Sequence, residues 1–199
     1  MFKKLRYGLL FILLLTTGAI LAQSEDDFVY GDLVPDAPAL ATRGEYSVGV
    51  QTLSLVNPNQ VDIINQTVYD RPITIEVWYP AVIGEGDVEM TTYTDYLGRA
   101  DQNNLQEFTF MGRALRDAQP DTTSAPYPLV IVSHGYPGSR YMMTYLTENL
   151  ASKGYVVVAI DHTDSTFADT ASFFSTLYNR SLDQVFVLNE MARLGAEDG

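Results

Sequence analysis

The 199-residue chain has no cysteine and only two histidines, His134 and His162. The absence of cysteine excludes disulfide bonds, thiolate metal sites and a cysteine nucleophile. Basic side chains are also scarce: 12 lysines and arginines stand against 25 acidic residues, so the formal net charge is −13. Nucleic acids and anionic membrane surfaces bind clustered lysine and arginine, so this charge argues against both as partners. The remaining composition, 46% hydrophobic and 19% charged, is typical of a globular protein with a core.

The N-terminus has the pattern of a secretory signal peptide over residues 1–22. Three basic residues precede an apolar run over residues 7–21, and Ala22 is the expected last residue before cleavage. We therefore expect a secreted or periplasmic protein with no stable membrane span after cleavage. The alternative is an uncleaved N-terminal anchor helix, because the apolar run approaches the length of a short membrane span. Residues 23–44 are acidic and rich in proline and alanine, which predicts a flexible lead-in.

The first structured part is predicted to be an antiparallel pair of strands. Apolar residues alternate in both segments, 47–56 and 73–79. In the first segment the alternation slips by one between Val50 and Leu53, which predicts a β-bulge there. The polar stretch between the segments, residues 57–71, is predicted to be a loop. Residues 82–127 form a connecting insertion, with one candidate helix around residues 105–115.

The segment from residue 129 onward has the pattern of a βαβ unit. Residues 129–132 and 155–160 are continuous apolar runs, as expected of parallel strands that are covered on both faces. Apolar residues at helical spacing over residues 142–150 lie between them, and Gly154 is placed to end that helix. Two strands joined in this way are parallel, with a right-handed crossover.

A last helix is predicted over residues 181–194. Ser181 and Gln184 have the spacing of a capping box, and Gly195 is placed to end the helix. An antiparallel opening pair followed by βαβα predicts an α/β fold with helices on both faces of the sheet.

Two loops lie where ligands bind in open α/β sheets, at the carboxyl ends of the strands. They are residues 134–140 and 161–166. In the first loop, Gly135 and Gly138 are expected to let the backbone turn so that its N–H groups face outward at a helix N-terminus. Such donors could form half of an oxyanion hole. The alternative is an ordinary glycine-rich turn between a strand and a helix.

The stretches PLVIVSHGYPGSR and LASKGYVVVAIDHTDST resemble the α/β-hydrolase branch that contains platelet-activating-factor acetylhydrolases and dienelactone-hydrolase-like esterases. VGVQTLSLVNP and DRPITIEVWYPA are similar to the two opening strands of that branch. The resemblance implies an α/β-hydrolase fold and a serine carboxylic-ester hydrolase with a small-molecule or lipid ester substrate and no metal or organic cofactor. It also implies that the backbone N–H of Tyr136 donates to the oxyanion, and that His134, Gly135, Tyr136 and Pro137 line the substrate site.

The chain departs from this branch in the nucleophile. No serine here has glycines two residues away on both sides, so the family's G-x-S-x-G motif is absent, as are the acid and histidine that follow it. We therefore expect residues 45–199 to be the N-terminal part of a hydrolase domain, with an incomplete sheet and no activity alone. The alternative is a secreted, non-catalytic binding module on the same scaffold.

The two histidines are expected to be structural. His134 belongs to the turn, where it can hold the loop by hydrogen bonds, and neither histidine has a serine in a nucleophile elbow to serve. A metal site formed by Asp161, His162 and Asp164 is a further alternative. We expect no metal, because three ligands this close together at a strand end rarely converge on one ion.

Overall fold

The computed structural model describes residues 42–197. The predicted signal peptide and almost all of the predicted lead-in therefore lie outside the described residues. At the end of the lead-in, Arg43 forms an ion pair with Glu89 (2.6 Å), and the Gly44 N–H donates to Ser152 Oγ (2.9 Å). No helix within residues 42–197 is long and apolar enough to cross a membrane.

A long antiparallel hairpin opens the fold, as predicted. Strand β1 (Ser47–Asp62) pairs with strand β2 (Thr67–Val82) along almost its whole length. The prediction of a loop over residues 57–71 is wrong, because both strands continue to a short turn at residues 63–66. The polar sequence misled the prediction because the end of the hairpin extends beyond the core, where strand side chains are exposed.

The predicted bulge is also misplaced. The register of β1 against β2 is unbroken from Ser47 to Asn57 and shifts only between Asn57 and Gln60. The slip in the apolar pattern has another cause, which is a change in the buried face along the strand. Val48 and Val50 belong to the core on one face of the sheet, whereas Leu53 and Leu55 pack against the core on the other face.

The insertion forms strands, so the prediction of a helix around residues 105–115 is wrong. Strand β3 (Thr91–Leu97) and strand β4 (Gln106–Gly112) form a separate antiparallel hairpin. Phe108 and Phe110 alternate with Glu107 and Thr109 in β4, and this period-2 pattern favours a strand. The short strands β5 (Leu115–Arg116) and β6 (Gln119–Pro120) then add to the main sheet.

The βαβ unit is confirmed. Strand β7 (Leu129–Ser133) is parallel to strand β8 (Val156–Asp161), with helix α1 (Thr144–Ser152) between them in the chain. Gly154 follows the end of α1 with φ +90°, a left-handed conformation that glycine adopts without strain. The main sheet has the order β5-β1-β2-β8-β7, and β6 also pairs with β2.

Helix α2 (Phe173–Glu197) begins eight residues earlier than predicted. Ser181 and Gln184 therefore lie inside the helix, and the prediction of a capping box there is wrong. The residue before the helix is Ser172, whose hydroxyl accepts a hydrogen bond from the Phe174 N–H (3.4 Å). Gly195 does not end the helix either, since α2 continues to Glu197.

Helices cover both faces of the sheet, as predicted. On one face Ala151 of α1 packs with Trp78 and Val157, and on the other Val187 of α2 packs with Ile75 and Val158. The α/β architecture places the carboxyl ends of β7 and β8, and the loops that follow them, at one edge of the sheet.

Strand β7 lies at the edge of the sheet in the described part of the chain, where it pairs with β8 alone. We predict that a polypeptide of residues 23–199 self-associates, because unpaired backbone groups along an apolar strand are a template for pairing with another chain. Sedimentation velocity over a range of concentrations should show oligomers that increase with concentration. A monomer with a sharp, reversible thermal transition would contradict this prediction.

A buried acid beneath β3 and β4 gives a second prediction. Glu148 on α1 is 2% exposed, and it accepts hydrogen bonds from the Tyr93 hydroxyl (2.8 Å) and the Arg113 N–H (3.0 Å). Burial raises the pKa of Glu148 from 4.5 to about 7 despite these two donors. The folded state therefore binds a proton more tightly than the unfolded chain between these two pH values. The contribution of Glu148 to stability is then fully present below pH 4.5 and is lost as the pH rises to about 7.

We expect the difference in unfolding free energy between the wild type and Glu148→Gln to change by about 1–3 kcal/mol over this pH range. Glutamine does not titrate, so the variant lacks this part of the pH dependence. Urea unfolding at pH values from 4.5 to 8 measures the difference, and parallel curves for the two proteins would contradict the prediction.

Candidate active site: the turn after β7

The turn that follows β7 lies at the carboxyl edge of the sheet, and its two glycines, Gly135 and Gly138, have different surroundings. Neither Gly135 nor Gly138 has a positive φ, so the turn is formed with backbone angles that other residues also adopt. Gly138 is required by space, because a Cβ there would lie 2.6 Å from both His134 Nδ1 and Met142 Sδ. A Cβ on Gly135 would meet no atom within 4 Å. Gly135 therefore faces open space.

The carbonyl groups of the turn are held by Arg180, which lies on α2. Its guanidinium donates to the His134 carbonyl and to the Gly135 carbonyl, the latter at 3.1 Å. The N–H groups of Gly135 and Tyr136 donate to no acceptor within residues 42–197. The turn thus directs two successive carbonyls toward α2 and leaves two successive N–H groups without a partner in the described chain.

His134 supports the turn from behind. It is 5% exposed, its Nδ1 lies 2.7 Å from the Gly135 carbonyl, and its Nε2 accepts the His162 N–H at 3.4 Å. Because Nε2 is the acceptor, the proton of the neutral ring is on Nδ1, which donates to Gly135. Burial lowers the pKa of His134 to about 4, so the ring is neutral at neutral pH. This geometry agrees with the structural role that we expected for His134.

His162, which directly follows β8, lies in a chain of hydrogen bonds that connects the end of β8 with β7, α2 and β2. Its Nε2 is 2.9 Å from Ser133 Oγ at the end of β7, and its Nδ1 is 2.9 Å from Asp183 Oδ2 on α2. Asp183 in turn accepts from Arg71 on β2, at 2.8 Å to Oδ1 and 3.0 Å to Oδ2. His162, Asp183 and Arg71 are each at most 1% exposed.

Ser133, His162 and Asp183 have the connectivity of a catalytic triad, but the charges around them are those of a structural network. In a triad the acid stabilises the imidazolium that forms when histidine takes the serine proton. Here Arg71 already pairs with both oxygens of Asp183, and Arg180 donates to Ser133 Oγ at 3.0 Å. Both oxygens of Asp183 and the hydroxyl of Ser133 therefore already have a guanidinium partner, which is the arrangement of a structural network.

The residues of the alternative metal site have separate partners. Asp161 accepts from the backbone N–H and the guanidinium of Arg140, and Asp164 accepts from Arg71 (3.0 Å) and Ser175 (2.8 Å). Both ring nitrogens of His162 are also occupied. No group of three or more histidine and acidic side chains in the described part of the chain could hold a metal ion.

A mainly apolar cleft of about 440 Å³ lies between the turn and the first turns of α2. Gly135 and Tyr136 line it from the turn, and Phe173 and Leu177 line it from the helix. The rings of Tyr136 and Phe173 meet edge to face, with centroids 5.1 Å apart. His134 and Pro137 are not among its lining residues. The loop over residues 161–166 lies instead at a polar cleft of about 330 Å³ beside Asp95 and Arg140.

Sequence reasoning missed the residues that support the turn. Arg180 and Asp183 are three positions apart and so share one face of α2, but a helix predicted to begin at Ser181 leaves Arg180 outside it. Arg71 fell in the predicted loop. If the helix had been predicted to begin earlier, the spacing of three positions would have indicated that Arg180 and Asp183 lie on the same face of it.

Comparison with known proteins agrees with this architecture. The model of the family described as "Platelet-activating factor acetylhydrolase, isoform II" matches residues 41–190. A platelet-activating factor acetylhydrolase from Cavia porcellus is 30% identical over 79 residues, which are 40% of this chain and 18% of that protein. A ferulic acid esterase from Streptomyces cinnamoneus matches 77% of this chain with a TM-score of 0.56 and 25% identity. The match spans 48% of the esterase, so this chain covers less than half of either relative. The chain has an α/β-hydrolase fold and belongs to the platelet-activating factor acetylhydrolase isoform II family.

Proposed function

We propose that this chain is the part of a secreted serine carboxylic-ester hydrolase that supplies one donor of the oxyanion hole. The observation that carries the proposal is the turn after β7. The Tyr136 N–H has no acceptor in the described chain, and the neighbouring carbonyls are turned away toward Arg180. The open space at Gly135 and the adjoining cleft leave room for an ester beside this N–H.

The proposed reaction is acyl transfer in two steps. A serine oxygen attacks the ester carbonyl carbon, its proton passes to a histidine, and the carbonyl oxygen becomes an oxyanion that accepts from the Tyr136 N–H. Collapse of this intermediate releases the alcohol, which takes the proton from the histidine. Water then attacks the acyl-enzyme in the same way and releases the carboxylic acid. None of these steps requires a metal or an organic cofactor.

The serine, the acid and the general base are proposed to lie beyond Gly199 in a longer natural protein, in the order serine, acid, histidine. The absence of a G-x-S-x-G motif from this chain supports the proposal. The share of the relatives that the chain covers, 18% and 48%, supports it as well. The signal peptide pattern over residues 1–22 supports secretion.

The substrate is proposed to be a small-molecule or lipid ester. The relatives are named as a platelet-activating factor acetylhydrolase and a ferulic acid esterase, and these names support a substrate of the ester class. The cleft between Tyr136 and Phe173 is mainly apolar and adjoins the proposed oxyanion donor. Such a cleft suits the apolar part of an ester whose carbonyl lies at the turn.

The test begins with the gene sequence beyond the codon for Gly199 and continues with the encoded protein. We expect that protein to hydrolyse p-nitrophenyl acetate, and a fluorophosphonate probe to label a serine within G-x-S-x-G. Mass spectrometry of the labelled peptide identifies this serine. The polypeptide of residues 23–199 is expected to be inactive and unlabelled.

Two outcomes would overturn the proposal. A label on Ser133 would assign the nucleophile to the buried network instead. A natural protein without G-x-S-x-G that binds esters but does not hydrolyse them would favour the non-catalytic binding module.

A further inference from the structure

We propose that Arg180 is a positioning residue, which holds the turn after β7 so that the Tyr136 N–H faces the ester. This inference rests on the proposed function and names a residue that acts in it through the backbone of another. Arg180 lines the cleft beside the turn, and we propose that it acts through its hydrogen bonds to the backbone of the turn. It determines the direction in which the N–H groups of the turn point.

The contacts of Arg180 use both terminal nitrogens of its guanidinium, whereas its buried Nε has no hydrogen-bond partner in the described chain. Nη1 donates to Ser133 Oγ (3.0 Å) and to the His134 carbonyl, and Nη2 donates to the Gly135 carbonyl (3.1 Å) and Ser165 Oγ (2.8 Å). The two terminal nitrogens carry four hydrogens, and each has its own acceptor. Three acceptors belong to the turn after β7 and its preceding residue, and the fourth to the loop after β8.

The two carbonyl contacts determine which way the turn faces. Carbonyls of successive residues, His134 and Gly135, both point at one guanidinium. In a peptide unit the N–H lies opposite the carbonyl. The N–H groups that follow these carbonyls belong to Gly135 and Tyr136, and they are therefore turned away from Arg180, toward the side where Gly135 faces open space. Without the guanidinium, the partly buried His134 carbonyl would lose its donor and the Gly135 carbonyl would keep only His134 Nδ1, so the turn would lose the contacts that fix this orientation.

Asp183 fixes the position from which Arg180 reaches the turn. It lies one helical turn further along α2 on the same face, and it binds Arg71 of β2 and His162, which directly follows β8. Because α2 is anchored to β2 and to the end of β8 at this point, Arg180 has a defined distance to the turn. The helix thus connects the geometry of the turn to the centre of the sheet.

The experiment uses the full natural protein with Arg180→Lys, Arg180→Met and, as a matched control on the same helix, Arg193→Met. Arg193 pairs with Glu190 at 3.0 Å, and its side chain is 50% exposed. Steady-state hydrolysis of p-nitrophenyl acetate gives kcat and KM. Hydrogen exchange of the peptide over residues 134–140 reports on the turn, in which the Gly138 N–H donates to the Ser165 carbonyl (3.2 Å).

For Arg180→Met we expect kcat to fall about 100-fold with little change in KM, because a displaced donor weakens transition-state binding alone. We expect the protected amide in the turn to exchange about tenfold faster, as for the loss of one hydrogen bond. Lysine has a single charged nitrogen with three hydrogens and cannot replace a planar fork with four, so Arg180→Lys should restore neither value. Arg193→Met should match the wild type in both.

The other possible results test the positioning role of Arg180 and the proposed function separately. Unchanged kcat in Arg180→Met, or wild-type kcat in Arg180→Lys, overturns the positioning role even if exchange in the turn is faster. If Arg180→Met does not fold, Arg180→Lys with wild-type kcat has the same meaning. If the wild-type protein hydrolyses no ester, the proposed function fails, and hydrogen exchange still tests whether Arg180 holds the turn.

Discussion

Replacing Arg71 by methionine is expected to lower the free energy of unfolding by about 3–5 kcal/mol, because it leaves a buried carboxylate without its main partner. Arg71 is 1% exposed and pairs with Asp183, which is fully buried, through two hydrogen bonds of 2.8 and 3.0 Å. It also donates to the Thr163 carbonyl (2.7 Å) and to Asp164 (3.0 Å). Methionine has a similar length but provides none of these donors. Urea unfolding at pH 7 measures the loss.

The pH dependence of this effect gives a sharper test. Burial alone would raise the pKa of Asp183, but the hydrogen bonds from His162 and Arg71 outweigh burial and lower it below its usual value. A lowered carboxyl pKa contributes stability that is present above the unfolded value and is lost as the pH falls through the folded value. Arg71→Met removes the main positive charge beside Asp183, so burial should then raise the pKa of the Asp183 carboxyl. The difference in unfolding free energy between the wild type and Arg71→Met should therefore become smaller as the pH falls from 7 toward 4.

Three further variants complete this experiment: Arg193→Met, Asp183→Leu, and the double variant of Arg71 and Asp183. Arg193→Met removes an exposed pair with Glu190 and should cost less than about 1 kcal/mol. The double variant Arg71→Met/Asp183→Leu removes both charges, so its loss should be smaller than the sum of the two single losses. Strict additivity, or a loss for Arg71→Met no larger than for Arg193→Met, would mean that the buried pair does not hold α2 to the sheet.

Local patterns of the sequence were sufficient to predict the centre of the fold. Strands β7 and β8 are continuous apolar runs because both faces are covered, and helix α1 ends at a glycine with φ +90°. These signals lie within a few residues of each other and follow from rules of burial and helix termination. The periphery lacks such signals. The end of the β1–β2 hairpin is largely exposed and includes the exposed apolar residues Val61 and Val68, and the prediction of a helix around residues 105–115 mistook a period-2 strand for a helical pattern.

The candidate site was also only partly predictable from the sequence. The turn itself could be located because His134 and Gly135 follow a buried strand, but the reason for Gly138 is a contact with Met142 that only the folded chain shows. The supporting charges are more distant still. Arg180 lies 47 positions from Ser133, and Asp183 lies 112 positions from Arg71. Sequence spacing on one element contains no information about pairs that only the packing of α2 against the sheet brings together.

Removing the Tyr136 N–H itself should have the largest effect on activity. Replacement of Tyr136 by its α-hydroxy acid analogue changes one amide to an ester and leaves the side chain intact. We expect kcat for p-nitrophenyl acetate in the full natural protein to fall about 10²–10³-fold, the usual loss for one oxyanion donor, with KM nearly unchanged. Because this N–H has no acceptor in the described chain, its loss costs no hydrogen bond there, and any change in stability should come from the Gly135 ester carbonyl, a weaker acceptor for Arg180 and His134.

The side chain of Tyr136 needs its own control. Its hydroxyl donates to the Ala171 carbonyl, and its ring meets Phe173 at the cleft. Tyr136→Phe keeps the backbone N–H and the ring, so kcat should stay within a few-fold of the wild type even if the cleft loosens. A large loss in Tyr136→Phe together with an unaffected amide-to-ester variant would assign the function to the side chain. The turn would then act as a binding surface, and the orientation that Arg180 imposes on its N–H groups would have no part in catalysis.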